Sequence, residues 1–165
     1  YDNKPQENYD DLSVLNDKTK NFSDAKLMRI YLKSNLIPKG FVIVDTPGLS
    51  ANIIQHEKLI MDYVPTADAI FVAIDAIEGC KDSTIKFLDT VNPFKKPVFF
   101  ILTKIDDRPP KETEDIKNYI ENKLPVKPEK TIITSAKTGQ IDSFKELIKI
   151  VYDTREEILG KKYPA

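Results

Sequence analysis

Apolar residues along the chain fall into short blocks separated by polar turns. AIFVAID at 69–75 and VFFILT at 98–103 are near-continuous apolar runs. A strand needs that pattern only when both of its faces are covered, as in a parallel sheet. Between them CKDSTIKFLDTV predicts a helix. KETEDIKNYIENKL at 111–124 sets Ile116, Ile120 and Leu124 four apart on one helical face, TIITSA at 131–136 predicts a further short strand, and residues 141–159 predict a long closing helix. Ser143 and Glu146 have capping-box spacing near the start of that last helix. Strand, helix, strand, helix, strand predicts a doubly wound, mostly parallel α/β sheet with helices on both faces.

The first part of the chain is patterned differently. Residues 1–22 are polar, with only Val14 and Leu15 as adjacent apolar anchors, and are expected to form an arm or insert. LMRIYLK at 27–33 alternates as a half-buried strand does. A turn with Pro38 and Gly40 follows, and then FVIVD at 41–45, so the pair predicts an antiparallel hairpin at one sheet edge. Ile53, Ile54, Leu59, Ile60 and Val64 recur at helical spacing and predict a helix over 52–64 that ends at Pro65. The expected organisation is therefore an arm or insert over 1–22, one α/β domain over 23–160 and a short tail over 161–165, with no internal repeat.

Composition narrows the function classes. The chain has 165 residues, 31% charged and 41% hydrophobic, which suits a soluble globular domain. No apolar run approaches the roughly 18 to 20 residues that span a bilayer, and nothing at Tyr1 resembles a signal peptide. The lone Cys80 excludes an internal disulfide and fits a reducing, cytoplasmic setting, where it reads as a structural thiol. A formal net charge of −1 gives no electrostatic case for nucleic acid or anionic lipid. No histidine or cysteine grouping suggests zinc. His56 falls on a solvated helix face among Gln55, Glu57 and Lys58. Of the acidic residues Asp106, Asp107, Glu112, Glu114 and Asp115, only Asp106 has a strand-exit position, and the others suit a helix start.

In such a sheet ligands lie outside the carboxyl ends of the strands, so candidate chemistry sits just after each strand. After 41–45 come Asp45, Thr46, Pro47 and Gly48. A carboxylate there can hold a hard cation such as Mg2+ through water, and the glycine lets a backbone N–H approach a terminal phosphate. Asp-x-x-Gly also describes many ordinary turns. After 98–102 come Thr103, Lys104, Ile105 and Asp106. Asp106 can accept the N1 and N2 donors of guanine while the Lys104 stem lies along the base. Adenine lacks that donor pair, so the geometry selects the base. After 131–134 come Ser135, Ala136 and Lys137, where a tight turn can offer a backbone N–H to the guanine oxygen. Each piece alone is weak. All three at successive strand exits, in one order, are not readily accidental.

DTPG, TKID and SAK resemble the switch II, base-specificity and final base-contacting motifs of the guanine-nucleotide-binding domains that run from small signalling switches to the dynamins. The resemblance spans residues 27–159. NLIPKGFVIVDTPGLSANI, followed by TADAIFVAIDA, looks most like the dynamin superfamily, bacterial dynamin-like proteins included. Thr103, where most small GTPases carry asparagine, agrees. The resemblance implies a P-loop GTPase-like fold, GTP or GDP with Mg2+ as ligands, and Asp45 at the metal. For the full-length protein it implies GTP hydrolysis coupled to membrane remodelling, homodimerisation through the G domain, and peripheral membrane attachment through regions outside this chain.

The sequence departs from the pattern in three places. Leu49 stands where signalling GTPases carry a catalytic glutamine, and an aliphatic chain cannot orient water, so no catalytic residue is assigned. SAK is nearer to Era-like bacterial GTPases, which makes an Era-like fragment an alternative. The third departure is the phosphate-binding loop. It needs two glycines five apart followed by Lys and Ser or Thr, and Gly40, Gly48, Gly79, Gly139 and Gly160 provide no such pair. Thr19 therefore has nothing to anchor it as a switch I residue. Either this is a partial GTPase domain lacking its N-terminal strand and loop, inactive alone, or it is a nucleotide-independent interaction scaffold. In the family the absent strand lies between the strand ending at Asp45 and the strand 69–75. Those two strands are then expected to close on each other, or the gap to be filled by residues 1–22 or a partner chain.

Overall fold

The computed structural model describes residues 34–46, 61–106 and 108–154. The arm 1–22, the strand 27–33, most of the helix 52–64, Pro47, Gly48, Leu49, His56, Asp107 and the tail 161–165 lie outside the described residues. The chain divides into two compact units, Tyr1–Lys39 and Gly40–Ala165. Within the described part of the first, the Ser34 hydroxyl oxygen accepts the N–H groups of Leu36 and Ile37 at 3.0 and 3.2 Å, a side-chain-fixed turn.

The second unit is built on three strands, β1 (Ile70–Asp75), β2 (Val98–Thr103) and β3 (Lys130–Ile133), joined by helices α1 (Asp82–Val91) and α2 (Pro110–Lys123) and closed by α3 (Asp142–Asp153). The strands are parallel in the order β1, β2, β3. Ile70 registers with Val98 and Asp75 with Thr103, so the strands run out at the same edge of the sheet. In β2 the five residues Val98 to Leu102 are all buried, as the unbroken apolar run requires of a central strand.

One face of the sheet, carrying Ile70, Val72, Ile74, Val98, Phe100 and Leu102, packs on Leu88 and Val91 of α1 and on Ile120 of α2. The opposite face, with Phe99, Ile101 and Ile132, packs on Leu147 and Val151 of α3. Phe71 meets Phe99 edge to face, with centroids 5.8 Å apart. Helices on both faces follow directly from the alternation of side chains on strands whose two sides are both apolar.

Helix ends have local causes. α2 starts at Pro110, whose missing N–H is harmless in the first turn. It stops at Leu124, held extended at ψ 143 by the proline that follows. Residues 61–63 are helical and the helix ends before Pro65, as the spacing predicts. α3 begins one residue later than expected and is described to Asp153, with the expected continuation to 159 beyond the described residues. The capping box is not formed. Ile141 precedes the helix with no side-chain cap, Ser143 lies inside the first turn, and Glu146 instead takes the Lys130 ammonium at 2.5 Å.

The edge strand at 41–45 needs correction. Residues 41–46 carry no ladder among the described residues, and Val42, Ile43 and Val44 are 78, 48 and 46% exposed. A strand exists only when its N–H and C=O groups pair with a neighbour, and no described segment supplies one. Phe41 alone packs inward, against the α3-side cluster. The segments 41–46 and β1 are thus not closed on each other. A largely apolar cavity of about 780 Å³ is bounded by both, with Tyr63, Phe144, Val151 and Tyr152 on its other walls.

Candidate functional site

At the carboxyl edge of the sheet the chain leaves β2 through Thr103, Lys104, Ile105 and Asp106. The ends of β1 and β2 are joined twice by hydrogen bonds. The Ala76 N–H donates to the Thr103 carbonyl at 3.0 Å, and the Thr103 hydroxyl donates to the Ile74 carbonyl at 3.3 Å. Ile105 is 5% exposed and anchors the loop in the core. Its two neighbours diverge. Lys104, at φ 59, reaches toward β1 and pairs with Asp75 at 2.6 Å. Asp106 reaches toward β3, where its Oδ1 accepts the Ser135 hydroxyl.

Ser135 is 1% exposed, and its oxygen also accepts the Thr138 N–H at 3.2 Å. The backbones of Ser135 and Gln140 exchange hydrogen bonds at 3.1 and 2.9 Å, so Ala136 to Gly139 form a short exposed loop closed by Gly139 at φ 71. Ala136 and Lys137 project on this loop, beside the Asp106 carboxylate that Ser135 fixes. Two of the three sequence pieces, TKID and SAK, therefore meet at one edge with the β1 exit, and no described contact brings DTPG to them. A carboxylate oxygen can accept two hydrogen bonds, so Asp106 held by Ser135 keeps capacity for the two donors on a guanine edge.

Charge at the site is organised around Asp75. Its Oδ1 accepts the N–H groups of Ile77 and Glu78 at 2.8 and 3.3 Å, and its Oδ2 takes Lys104. The Lys104 ammonium, with help from these N–H groups, holds the Asp75 carboxyl below its ordinary range, and burial opposes the shift. Asp75 in turn raises the Lys104 ammonium above the usual lysine range. Asp75 belongs to none of the three motifs, and the sequence yielded it only as the last residue of a strand. The strand-exit rule that singled out Asp45 and Asp106 applies to it equally.

The other predicted residues are placed less tightly. Asp45 and Thr46 are exposed and line the apolar cavity beside β1. No hydrogen bond or ion pair ties Asp45 to the base-side residues among the described residues, and Pro47 and Gly48 lie outside them. Mg2+ prefers one or two carboxylates together with water and substrate phosphates. Asp45 fits the part of a single carboxylate ligand, while the described residues hold no grouping of three or more acidic, His or Cys side chains that could bind a metal by themselves. A second cavity, about 610 Å³, lies beside β3 among Arg108, Thr113, Thr131, Ser143 and Glu146. Its walls do not include Lys104, Asp106 or Ser135, so it is separate from the candidate base-side residues. Cys80 is half-buried, and burial pushes its thiol up, which suits a structural role.

The sequence profile described as "Dynamin family" matches residues 3–105, well over half of the chain. The chain belongs to the dynamin family. This family member is similar to the probable transmembrane GTPase FZO-like, chloroplastic, of Arabidopsis thaliana, at 31% identity over 91 residues, which cover 54% of this chain and 10% of that protein. It is also similar to Dynamin-like protein 1 of Campylobacter jejuni, at 29% identity over 115 residues, 64% of this chain and 16% of that protein. Among solved structures, Era in complex with MgGDPNP and 16S ribosomal RNA superposes with a TM-score of 0.55 at 26% identity, covering 66% of this chain and 38% of Era. The fold is accordingly that of the P-loop GTPases. The dynamin-family chain spans between a tenth and a sixth of the length of these two curated relatives. Among the described residues, no helix is long and apolar enough to cross a membrane.

Proposed function

We propose that this chain is the C-terminal part of the guanine-nucleotide-binding domain of a dynamin-like GTPase. Asp106 reads the guanine edge, the Lys104 stem lies along the base, Thr103 and Ser135 brace that loop, and the Ala136–Lys137 turn faces the guanine oxygen. Asp45, Thr46, Pro47 and Gly48 serve the γ-phosphate and Mg2+, and the phosphate-binding loop comes from a segment outside these 165 residues. In the full-length protein this domain hydrolyses GTP, pairs with a second copy and remodels a membrane from the cytoplasmic side through other regions. The domain itself corresponds to residues 23–160, with 1–22 an arm or insert.

The observation that carries this proposal is the Asp106–Ser135 hydrogen bond between the exits of β2 and β3. It presents a carboxylate at the mouth of a parallel sheet, where ligands bind. A scaffold without nucleotide has no physical need of a carboxylate fixed there. Era-like bacterial GTPases are the second reading, favoured by SAK and by the superposition on Era.

Binding strength separates the domain from the isolated chain. About four phosphate contacts at roughly 1.5 to 3 kcal/mol each are missing, on the order of 6 to 12 kcal/mol, which turns a micromolar site into an effectively empty one. Titration with a fluorescent GTP analogue is the test. The complete protein is expected to bind at micromolar concentration with magnesium dependence, and the 165-residue chain to give no binding and no phosphate release. Micromolar binding by the isolated chain would mean that its own residues supply a phosphate site, and a complete protein that ignores GTP would remove the proposal altogether.

A further inference from the structure

The TKID loop is tethered on both sides. On the β3 side the tether is Ser135 to Asp106, inside the recognised motifs. On the β1 side it is Asp75 to Lys104, outside all of them. Between the two tethers lies buried Ile105, so the loop cannot shift without uncovering a core residue.

Lys104 sits in the left-handed region at φ 59, where few non-glycine residues are found. Such a conformation persists only where the surroundings over-determine it, and it gathers at functional sites. Here three contacts fix the strand ends around it: Ala76 to Thr103, Thr103 to Ile74, and the ion pair itself. The left-handed turn sends the Lys104 side chain to the β1 exit, and the pair at 2.6 Å holds it there although 63% of that side chain is open to solvent. The Asp75 side chain is 16% exposed and is itself immobilised by the N–H groups of Ile77 and Glu78. A fixed anion thus holds a flexible cation, which is the arrangement needed to set the path of a long side chain.

We propose that Asp75 is a positioning residue of the guanine site, holding the Lys104 ammonium so that the lysine stem is laid across the base before nucleotide arrives. This rests on the function proposed above. Unbound, a lysine stem samples many rotamers, and ordering it on binding weakens affinity. Preordering by Asp75 removes that cost without touching the guanine edge, which Asp106 and the Ala136–Lys137 turn read. Asp75 therefore acts on the strength of nucleotide binding and leaves base choice unchanged.

Asp75→Asn separates the two jobs of the carboxylate. The amide oxygen still accepts from Ile77 and Glu78, as Asx turns do, while the charge that holds Lys104 is gone. In the complete protein Asp75→Asn is expected to weaken GDP affinity about tenfold. In a Lys104→Met background the same change is expected to cost less than about twofold, since the two act as one unit. The GDP to IDP affinity ratio, which reports the N2 contact, is expected to stay at the wild-type value. An equal loss in both backgrounds, an unchanged affinity in Asp75→Asn, or a shifted GDP to IDP ratio each overturns the proposal. Lys104→Met alone, at a side chain 63% open to solvent, must also weaken GDP binding; if it does not, there is no lysine contact for Asp75 to prepare. Wild-type protein that fails to bind GDP removes the guanine site itself, whereas wild-type binding with an inert Asp75→Asn removes only the positioning role.

Discussion

Asp75 and Lys104 behave as a small electrostatic unit whose consequences extend to pH. The Asp75 carboxyl is held below its ordinary value of 3.8 in the folded chain. A depressed folded value means that the unfolded chain takes up the proton first as pH falls. The stabilisation is complete well above pH 4 and disappears as pH drops through the folded value. The difference in urea midpoint between wild type and Asp75→Asn should therefore be constant from about pH 5 to 7 and shrink below about pH 4. Because Lys104 is exposed, the difference at neutral pH should be small. A difference that grows with acid would assign Asp75 the opposite protonation. At this scale the sequence made Asp106 and Ser135 visible because each follows an apolar run at a strand exit. Asp75 also ends an apolar run at a strand exit, and it stayed in shadow because it belongs to none of the three motifs and only the folded chain brings Lys104 to it.

At the scale of elements, β2 is the strand on which everything else is built. It lies between β1 and β3, and Phe100 and Leu102 have no exposure at all. Phe100→Ala should cost about 3 to 5 kcal/mol, measurable by urea unfolding of the complete protein, with loss of the base site following loss of the sheet. A cost under about 1 kcal/mol would mean that the α1 and α2 side of the sheet is loosely packed. The elements from 70 onward were legible because continuous apolar strands and helices with apolar faces leave different periods in the sequence. Helix ends were harder: α3 starts at Asp142, one residue after the expected start, and Ser143 and Glu146 match a capping box in spacing only, since Glu146 pairs with Lys130 of β3. FVIVD failed for a different reason. Its residues have the character of a strand, but a ladder needs a neighbour, and local pattern does not reveal whether one is present.

At the scale of the whole molecule, the exposed Val42, Ile43 and Val44, the cavity of about 780 Å³ beside β1, and a chain that spans a small share of its relatives belong together. They agree with the proposed partial GTPase domain. In the proposed function the base side is the part these residues build for themselves, so base selectivity tests it most sharply. The direct measurement is the relative affinity of the complete protein for GDP and XDP, in wild type and in Asp106→Asn. Asparagine offers a donor where aspartate offers an acceptor, and xanthine presents a carbonyl where guanine presents an amino group. Wild type should favour GDP, and Asp106→Asn should favour XDP, each by about 100-fold or more. An Asp106→Asn protein that retains its preference for GDP, or that binds neither nucleotide while remaining folded, would contradict the assignment of Asp106 to the guanine edge.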